Sequence, residues 1–286
     1  MEPKIDFEEI KKAAPKIILL QGPEGLKTRL PELAEKLEKE TLAKVLISGE
    51  ACYGACDLPL EAAGLTKSDL IVHLGHADFG VKSDTPVIYI SIEYGLKLPA
   101  TLKNEIAALP EKTFGIFSSV QFRKALEELE ALLKENGKEI LTKQIILGCN
   151  EVRSAAEANI FVGSGKFHPK ALKGKVYHAD IEKGRLADLT EEIERVERKR
   201  FARLELLKDA KSVGILVSTK PGQFFPDYEK LKARLEAEGK KATVIIFNEI
   251  TNDKLLGLKF DAYVNTACPR ILDNHFDKPV INLKDL

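Results

Sequence analysis

The chain has 286 residues, of which 44% are hydrophobic and 31% are charged, as in globular proteins and unlike disordered chains. Its 44 Lys and Arg residues balance 44 Asp and Glu residues, so it lacks the positive charge of a nucleic-acid-binding protein. The charged amino-terminal stretch is unlike a signal peptide and no apolar run approaches about 20 residues, so we expect a cytoplasmic protein without a membrane span.

One pattern of predicted elements occurs three times: an apolar strand, a turn-rich loop, an amphipathic helix and further apolar strands. The first unit contains KIILL, QGPEG, the helix LPELAEKLEKE, KVLIS, DLIVHLGH and PVIYISI. The second contains KTFGIF, SSVQF, the helix RKALEELEALLKENG, KEILTKQIIL, ANIFVGSG and KVYHADI. The third contains SVGILVS, TKPGQ, the helix DYEKLKARLEAEG, KATVIIF, FDAYVNTAC and PVINL.

Short strands rich in Val, Ile and Phe, separated by helices that end at Gly, are typical of βαβ units around a parallel sheet. The sequence therefore predicts an α/β fold of three similar small domains, with the active site where the domains converge. We place the domains at residues 1–104, 105–190 and 191–286. The third begins with the charged segment TEEIERVERKRFARLELL, which we interpret as a solvated linker helix.

Four cysteines are too few for a disulfide scaffold, so their role is packing, catalysis or metal binding. Cys56 and Cys149 follow the second strand of units one and two, and Cys268 follows the third strand of unit three. Ligands of parallel sheets bind beyond the carboxyl ends of the strands, so all three thiols are expected at the functional edge. Three such thiolates favour an iron-sulfur cluster with one open iron over a zinc site, which usually takes four ligands.

The residues around two cysteines predict helix starts. Asp57 and Asn150 are expected to cap helices in DLPLEAA and EVRSAAEA, which would place Cys56 and Cys149 at helix amino termini that stabilise thiolate. Cys52 forms a C-x-x-x-C pair with Cys56, but the third cysteine of the usual radical S-adenosylmethionine loop is missing. We therefore interpret Cys52 as a packing residue.

Six motifs occur along the chain in a defined order and spacing: QGPEGL (21–26), YGACD (53–57), HLGHA (73–77), LGCN (147–150), GSGKFHP (163–169) and ACPR (267–270). Together they resemble the archaeal 2-(3-amino-3-carboxypropyl)histidine synthases, which begin diphthamide synthesis. The resemblance implies a homodimer of triplicated α/β subunits, each with one 4Fe-4S cluster bound by Cys56, Cys149 and Cys268.

The same resemblance implies a transferase that cleaves the γ-carbon to sulfur bond of S-adenosylmethionine and releases methylthioadenosine. The 3-amino-3-carboxypropyl radical would be added to a histidine of translation elongation factor 2, and an electron donor would be a further partner. Two alternatives stay open: a 4Fe-4S dehydratase similar to quinolinate synthase, which YGACD and ACPR argue against, and a non-catalytic cluster-binding partner subunit.

Glycine and polar residues in the loops after the strands are candidates for holding S-adenosylmethionine. Glycine permits close backbone approach, and polar side chains suit the carboxylate and ribose of the ligand. The candidates are Gln21, Glu24, Gly163, Ser164, Gly165, Lys220 and Gln223. His76 and His168 are further candidates near strand ends, where histidines often have only a structural role.

Overall fold

Residues 5–149 and 152–286 are described by the structure, a computed structural model of the chain. Four strands form the first sheet: β1 Ile17–Gln21, β2 Lys44–Ile47, β3 Leu70–Leu74 and β4 Val87–Ile90. They run parallel in the order β2-β1-β3-β4. The helices of this part are α1 Phe7–Lys12, α2 Leu30–Thr41 and α3 Leu60–Thr66.

The second sheet has five strands: β5 Thr113–Ser118, β6 Glu139–Ile145, β7 Ala158–Gly163, β8 Val176–Asp180 and β9 Arg185–Asp188. Their order is β6-β5-β7-β8-β9, and all neighbours are parallel except β8 and β9. Two helices, α4 Ala100–Ala107 and α5 Arg123–Glu135, accompany this sheet.

The third sheet has the strands β10 Ser212–Ser218, β11 Lys241–Phe247, β12 Ala262–Asn265 and β13 Val280–Asn282. They run parallel in the order β11-β10-β12-β13. The helices α6 Thr190–Asp209, α7 Tyr228–Ala237 and α8 Asn252–Leu255 belong to this part of the chain, and α6 is the predicted linker helix.

One strand order recurs in all three sheets: the second strand, the first, the third and then the fourth. The predicted α/β fold of three repeats is therefore confirmed, strand for strand. The exception is β9, which the sequence did not predict. It returns antiparallel to β8 after a turn in which Gly184 has a φ of +61°, and its four residues are too short for a clear alternating pattern.

A carboxylate recurs at the start of the third strand of each repeat and holds the start of the first strand. Asp69, Glu157 and Asp261 each accept hydrogen bonds from two successive backbone N–H groups. The donors are Lys16 and Ile17 (both 2.8 Å), Lys112 and Thr113 (2.6 and 3.3 Å), and Lys211 and Ser212 (3.0 and 2.8 Å). These bonds satisfy backbone N–H groups at the amino-terminal ends of the strands, away from the carboxyl ends where the cysteine loops lie.

Each predicted helix packs an apolar stripe against its sheet. In α2 the buried residues Leu30, Leu33 and Leu37 lie at helical spacing and pack with Ile18 and Val72 of the sheet. Complete burial of one leucine side chain contributes about 1.5 to 3 kcal/mol, so this stripe explains why the segment is helical.

By its contacts the chain divides into two compact units. The first contains the amino-terminal part as far as Ile92 together with the segment Thr219–Phe224, which follows β10; the second contains Glu93–Ser218 and Phe225–Leu286. Each sheet falls within one of the three predicted residue ranges, whose boundaries stay a prediction. Within the described ranges, no helix combines the length and apolar character needed to cross a membrane.

Candidate functional site

In the first unit, the loop after β2 carries Cys56, and the segment Thr219–Phe224 lies against it. The N–H of Gly222 donates to the carbonyl oxygen of Cys56 at 2.8 Å. The side-chain amide of Gln223 donates to Cys56 Sγ at 3.5 Å. Cys56 thus has a partly buried thiol in the loop after a parallel strand, and the donor aimed at its sulfur would stabilise negative charge there.

A buried ion pair anchors the same segment. Lys220 pairs with Asp57, the residue after Cys56, and their side chains are 8% and 11% exposed. Lys220 Nζ also lies 4.9 Å from the centre of the Tyr53 ring, within cation–π distance. Two residues of the YGACD motif therefore bind the lysine of the TKPGQ loop.

The predicted helix cap at Asp57 is wrong. Helix α3 begins at Leu60, with Pro59 at its cap position and no side-chain cap, while Asp57 binds Lys220 instead. Cys56 is thus not at a helix terminus, and burial raises the pKa of its thiol, an effect opposed by the Gln223 hydrogen bond. The free thiol is protonated at neutral pH, and a bound metal would have to displace its proton.

The helix predicted after Cys149 is also wrong over its described residues. Asn150, its expected cap, lies outside the described residues, and residues 152–157 form no helix. Val152 instead makes a parallel bridge with Leu172 and donates its N–H to the carbonyl of Ala171 at 3.0 Å. An apolar residue in an extended segment was therefore mistaken for the first turn of a helix.

Within the second unit, Arg270 joins the loops that carry Cys149 and Cys268. Its guanidinium donates to the carbonyl oxygens of Gly148 at 3.0 Å and Phe167 at 2.7 Å, and lies 4.2 Å from the centre of the Phe167 ring. It also pairs with Asp273. One side chain, only 12% exposed, thus holds the residue before Cys149 close to the Cys268 loop.

Two asparagines, at the ends of β12 and β13, hold the turn at Cys268 by hydrogen bonds. Asn265 donates to the carbonyl of Cys268 at 2.9 Å and to the side chain of Asn282 at 2.8 Å. Asn282 donates to the carbonyl of Pro269 at 3.1 Å. Both asparagines are buried at the last position of their strands. Sequence reasoning missed them, although a polar residue at the end of an apolar strand is a signal that could have identified them.

A cavity of about 100 Å³ lies beside the Cys149 and Cys268 loops within the second unit. Its lining includes Cys149, Pro269 and Arg270 together with Lys170 and Arg200. The carboxylates of Glu197, Asp273 and Asp285 line it as well, so the two cysteine loops share one partly enclosed space of mixed charge.

The remaining candidate residues occupy two regions of the structure. Glu24 is exposed at the start of a 3-10 helix and pairs with Lys27 at 2.6 Å. Gly163 ends β7, and Ser164 and Gly165 follow in a turn in which Gly165 has a φ of +69°. Thus Gln21, Glu24, Lys220 and Gln223 lie in the first unit, and the Gly163 to Gly165 turn lies in the second.

Gln21 is buried in a hydrogen-bonded chain at the carboxyl ends of β1 and β3. Its amide nitrogen donates to the carbonyl of Asp57 at 2.8 Å, and its oxygen lies 2.7 Å from His73 Nδ1. His73 Nε2 in turn lies 3.0 Å from His76 Nδ1. Burial, with His76 beside it, lowers the pKa of His73 to about 3, and burial also lowers the pKa of His76, so both rings are neutral at pH 7.

The chain is similar in sequence and in structure to known proteins. The diphthamide synthesis protein family model matches residues 22–286. The 2-(3-amino-3-carboxypropyl)histidine synthase of Pyrococcus horikoshii is 31% identical, over 98% of this chain and 87% of the relative. That of Methanocaldococcus jannaschii is 29% identical, over 96% and 84%. The crystal structure of Dph2 from Pyrococcus horikoshii with a 4Fe-4S cluster has a TM-score of 0.87 and 31% identity, and the match covers 100% of this chain and 90% of that one.

Proposed function

The chain belongs to the diphthamide synthesis family, and from this we propose that it is a 2-(3-amino-3-carboxypropyl)histidine synthase, the transferase of the first step. The observation that carries the proposal is the match over the full chain to a structure that holds a 4Fe-4S cluster. Each of the three repeats contributes one cysteine in a loop that follows the carboxyl end of a strand, which supports the same function.

Cys56, Cys149 and Cys268 are the proposed ligands of a 4Fe-4S cluster. The residues around them fit such a group: Gln223 donates to Cys56 Sγ, and Arg270 holds the backbone next to Cys149. When bound, the cluster supplies an electron and an iron with an open position that a sulfonium compound can approach. Hydrogen bonds to the sulfurs stabilise their negative charge, which is the role we assign to Gln223.

The substrate is S-adenosylmethionine in this proposal. Its γ-carbon to sulfur bond breaks, methylthioadenosine leaves, and the 3-amino-3-carboxypropyl group replaces the hydrogen on C2 of a histidine imidazole, with release of one proton. We assign the Gly163 to Gly165 turn, which follows the end of β7 and is exposed at Gly165, to the carboxylate of the substrate. Lys220 and Gln223 are held beside Cys56, and we assign Gln21 and Glu24 to the same substrate-binding region.

We extend the proposal to the partners of the reaction. The acceptor is a histidine of translation elongation factor 2, the electron comes from an external donor, and the active form is a homodimer in the cytoplasm. The support is the family resemblance in the motifs YGACD and ACPR together with the enzyme name of the relatives, which requires a histidine acceptor.

The test is the reaction of anaerobically purified protein with dithionite, S-adenosylmethionine and elongation factor 2. We expect methylthioadenosine and a gain of the aminocarboxypropyl mass at one histidine. Cys56→Ala should abolish both products and the bound iron, whereas Cys52→Ala serves as the matched cysteine control and should retain the iron. Formation of 5′-deoxyadenosine would contradict the assigned bond cleavage, and quinolinate formed from iminoaspartate and dihydroxyacetone phosphate would support the dehydratase alternative.

A further inference from the structure

A second group of metal-ligating side chains lies in the first unit. Cys52, His73 and His76 each present one ligand atom, and these three atoms lie within 4.8 Å of one another. None of the three belongs to the proposed cluster ligands. Cys52 and His73 are 3% and 0% exposed, while His76 is partly exposed. The group therefore has a buried base and one side open to ligand entry.

The hydrogen-bonded chain through Gln21 defines which nitrogen of His73 is available. Since the amide nitrogen of Gln21 donates to the carbonyl of Asp57, its oxygen must accept the hydrogen bond from His73 Nδ1–H. The lone pair of His73 Nε2 then faces His76. A histidine whose other ring nitrogen donates to a fixed oxygen is the usual arrangement around a bound metal, because this bond orients the ring and raises its basicity.

We propose that Cys52, His73 and His76 form a site for one divalent transition-metal ion of the zinc class, separate from the iron-sulfur cluster. One thiolate and two imidazoles are a common donor set for zinc, with a fourth position for water or another ligand. On binding, the Cys52 thiol proton is released to solvent. The proton on His76 moves to Nε2, so that Nδ1 becomes the ligand atom.

The spacing of the three atoms suits such an ion after small side-chain movements. With zinc about 2.0 Å from nitrogen and about 2.3 Å from sulfur, tetrahedral ligands lie about 3.3 to 3.6 Å apart. The two imidazole nitrogens are 3.0 Å apart, and a small rotation of the partly exposed His76 ring would lengthen this distance to the required value. The site would also account for a buried cysteine beside one buried and one partly exposed neutral imidazole, which packing alone does not require.

The site would further connect metal binding to the Cys56 loop. Gln21, which orients His73, donates to the carbonyl of Asp57, and Asp57 follows Cys56 directly in the chain. A metal that fixes His73 therefore also fixes the backbone on which the proposed cluster ligand lies. The metal assignment itself is independent of the cluster.

The experiment is equilibrium dialysis of the anaerobically purified, cluster-containing protein against Zn²⁺, with zinc and iron measured separately and zinc-edge X-ray absorption recorded. We expect about one zinc per chain with one sulfur and two or more nitrogen neighbours. Cys52→Ala and His76→Ala should each weaken zinc binding by at least tenfold, and Gln21→Leu should weaken it by about 10- to 100-fold as a loss of ligand orientation. The iron content of Cys52→Ala and His76→Ala should stay unchanged, whereas Gln21→Leu also removes the hydrogen bond to the Asp57 carbonyl and is therefore scored by zinc binding alone.

Two controls separate this site from the cluster and from misfolding. Cys56→Ala should lose the iron and keep the zinc, and His275→Ala, a change at an exposed histidine of the second unit, should keep both. Because Cys52 is buried and its variant could misfold, the partly exposed His76 supplies a second test. Absence of bound zinc in the unaltered protein, unchanged zinc affinity in both variants, or zinc bound without a sulfur neighbour would overturn the proposal. Loss of iron together with zinc in Cys52→Ala would assign Cys52 to the cluster instead.

Discussion

Gly222 lies so close to Cys56 that no side chain fits between the two residues. A Cβ atom at position 222 would lie 2.5 Å from Cys56 Cα and 2.9 Å from its carbonyl oxygen. The same approach allows the hydrogen bond from the N–H of Gly222 to that oxygen. The glycine of TKPGQ is therefore required by the backbone of the YGACD motif, rather than by a turn of its own.

Gly222→Ala is expected to push the segment Thr219–Phe224 away from the Cys56 loop. The clash involves backbone atoms, which cannot rotate away, so we expect a loss of about 1 to 3 kcal/mol in the free energy of unfolding. Urea unfolding followed by circular dichroism measures it, and iron analysis should show reduced cluster content. Gly257→Ala is the matched control, because a Cβ there meets no atom within 4 Å. Equal stability of the two variants would show that the close approach is absent in solution.

We expect the buried ion pair between Lys220 and Asp57 to affect stability only when one of its two charges is removed without the other. Lys220→Met leaves a buried carboxylate without its partner, which typically costs about 3 to 5 kcal/mol, whereas replacement of both residues by apolar ones is often nearly neutral. We therefore expect Lys220→Met to lower the unfolding midpoint strongly and the double variant with Asp57→Leu to recover most of the loss.

The matched control for this cycle is the pair of Lys208 and Glu205, whose side chains are 69% and 70% exposed. Lys208→Met should change stability by less than about 1 kcal/mol, as exposed pairs usually do. Additive effects of Lys220→Met and Asp57→Leu would mean that the two side chains do not interact.

Much of the fold could be predicted because its signals are local. The spacing of Leu30, Leu33 and Leu37 predicts the buried face of α2, and the run of β3, which is apolar except for His73, predicts a buried strand. The same two signals recur in each repeat, so the triplication was visible before any contact was known.

The contacts that build the site are not local, and this is why sequence reasoning missed them. Asp57 lies two residues before Pro59 and looks like a helix cap, yet its partner Lys220 is 163 positions away. The residues that accept backbone N–H groups at the strand starts, such as Asp69, also act across long separations. Gln21 and Gln223 were selected as polar loop residues, but their partners His73 and Cys56 could not be read from the chain.

We expect Arg270 to hold the Cys149 loop in place through the geometry of its hydrogen bonds and not only through its charge. Arg270→Lys keeps the charge but cannot reach two carbonyls, a carboxylate and a ring face with one ammonium group. We expect this variant to destabilise the protein, to speed alkylation of Cys149 by iodoacetamide in the cluster-free protein, and to lower iron content. Arg234→Lys, at an exposed arginine paired with Glu238, is the control. An unchanged alkylation rate in Arg270→Lys would show that the guanidinium does not hold the loop.

The carboxylates that start the third strand of each repeat predict a pH dependence of stability. Backbone N–H donors lower the pKa of Asp69, Glu157 and Asp261, chiefly through Ile17 or Lys112 for the first two. For Asp261 the main donors are the backbone and hydroxyl groups of Ser212. Since the folded pKa lies below the unfolded one, each group adds stability above its unfolded pKa, and this stability is lost as the pH falls through the folded pKa.

The triple variant Asp69→Asn, Glu157→Gln and Asp261→Asn should therefore be less stable than the unaltered protein at pH 7, and the difference should shrink as the pH falls below about 4. Urea unfolding midpoints measured from pH 7 to pH 3 give the two curves, which should approach each other at the acid end. Glu35→Gln, at an exposed carboxylate on α2, should run parallel to the unaltered protein throughout. A constant difference between the triple variant and the unaltered protein at all pH values would mean that its stability loss comes from altered packing rather than from the lost charge. In that case the repeated carboxylates would hold the strand starts by shape and not by their ionised oxygens.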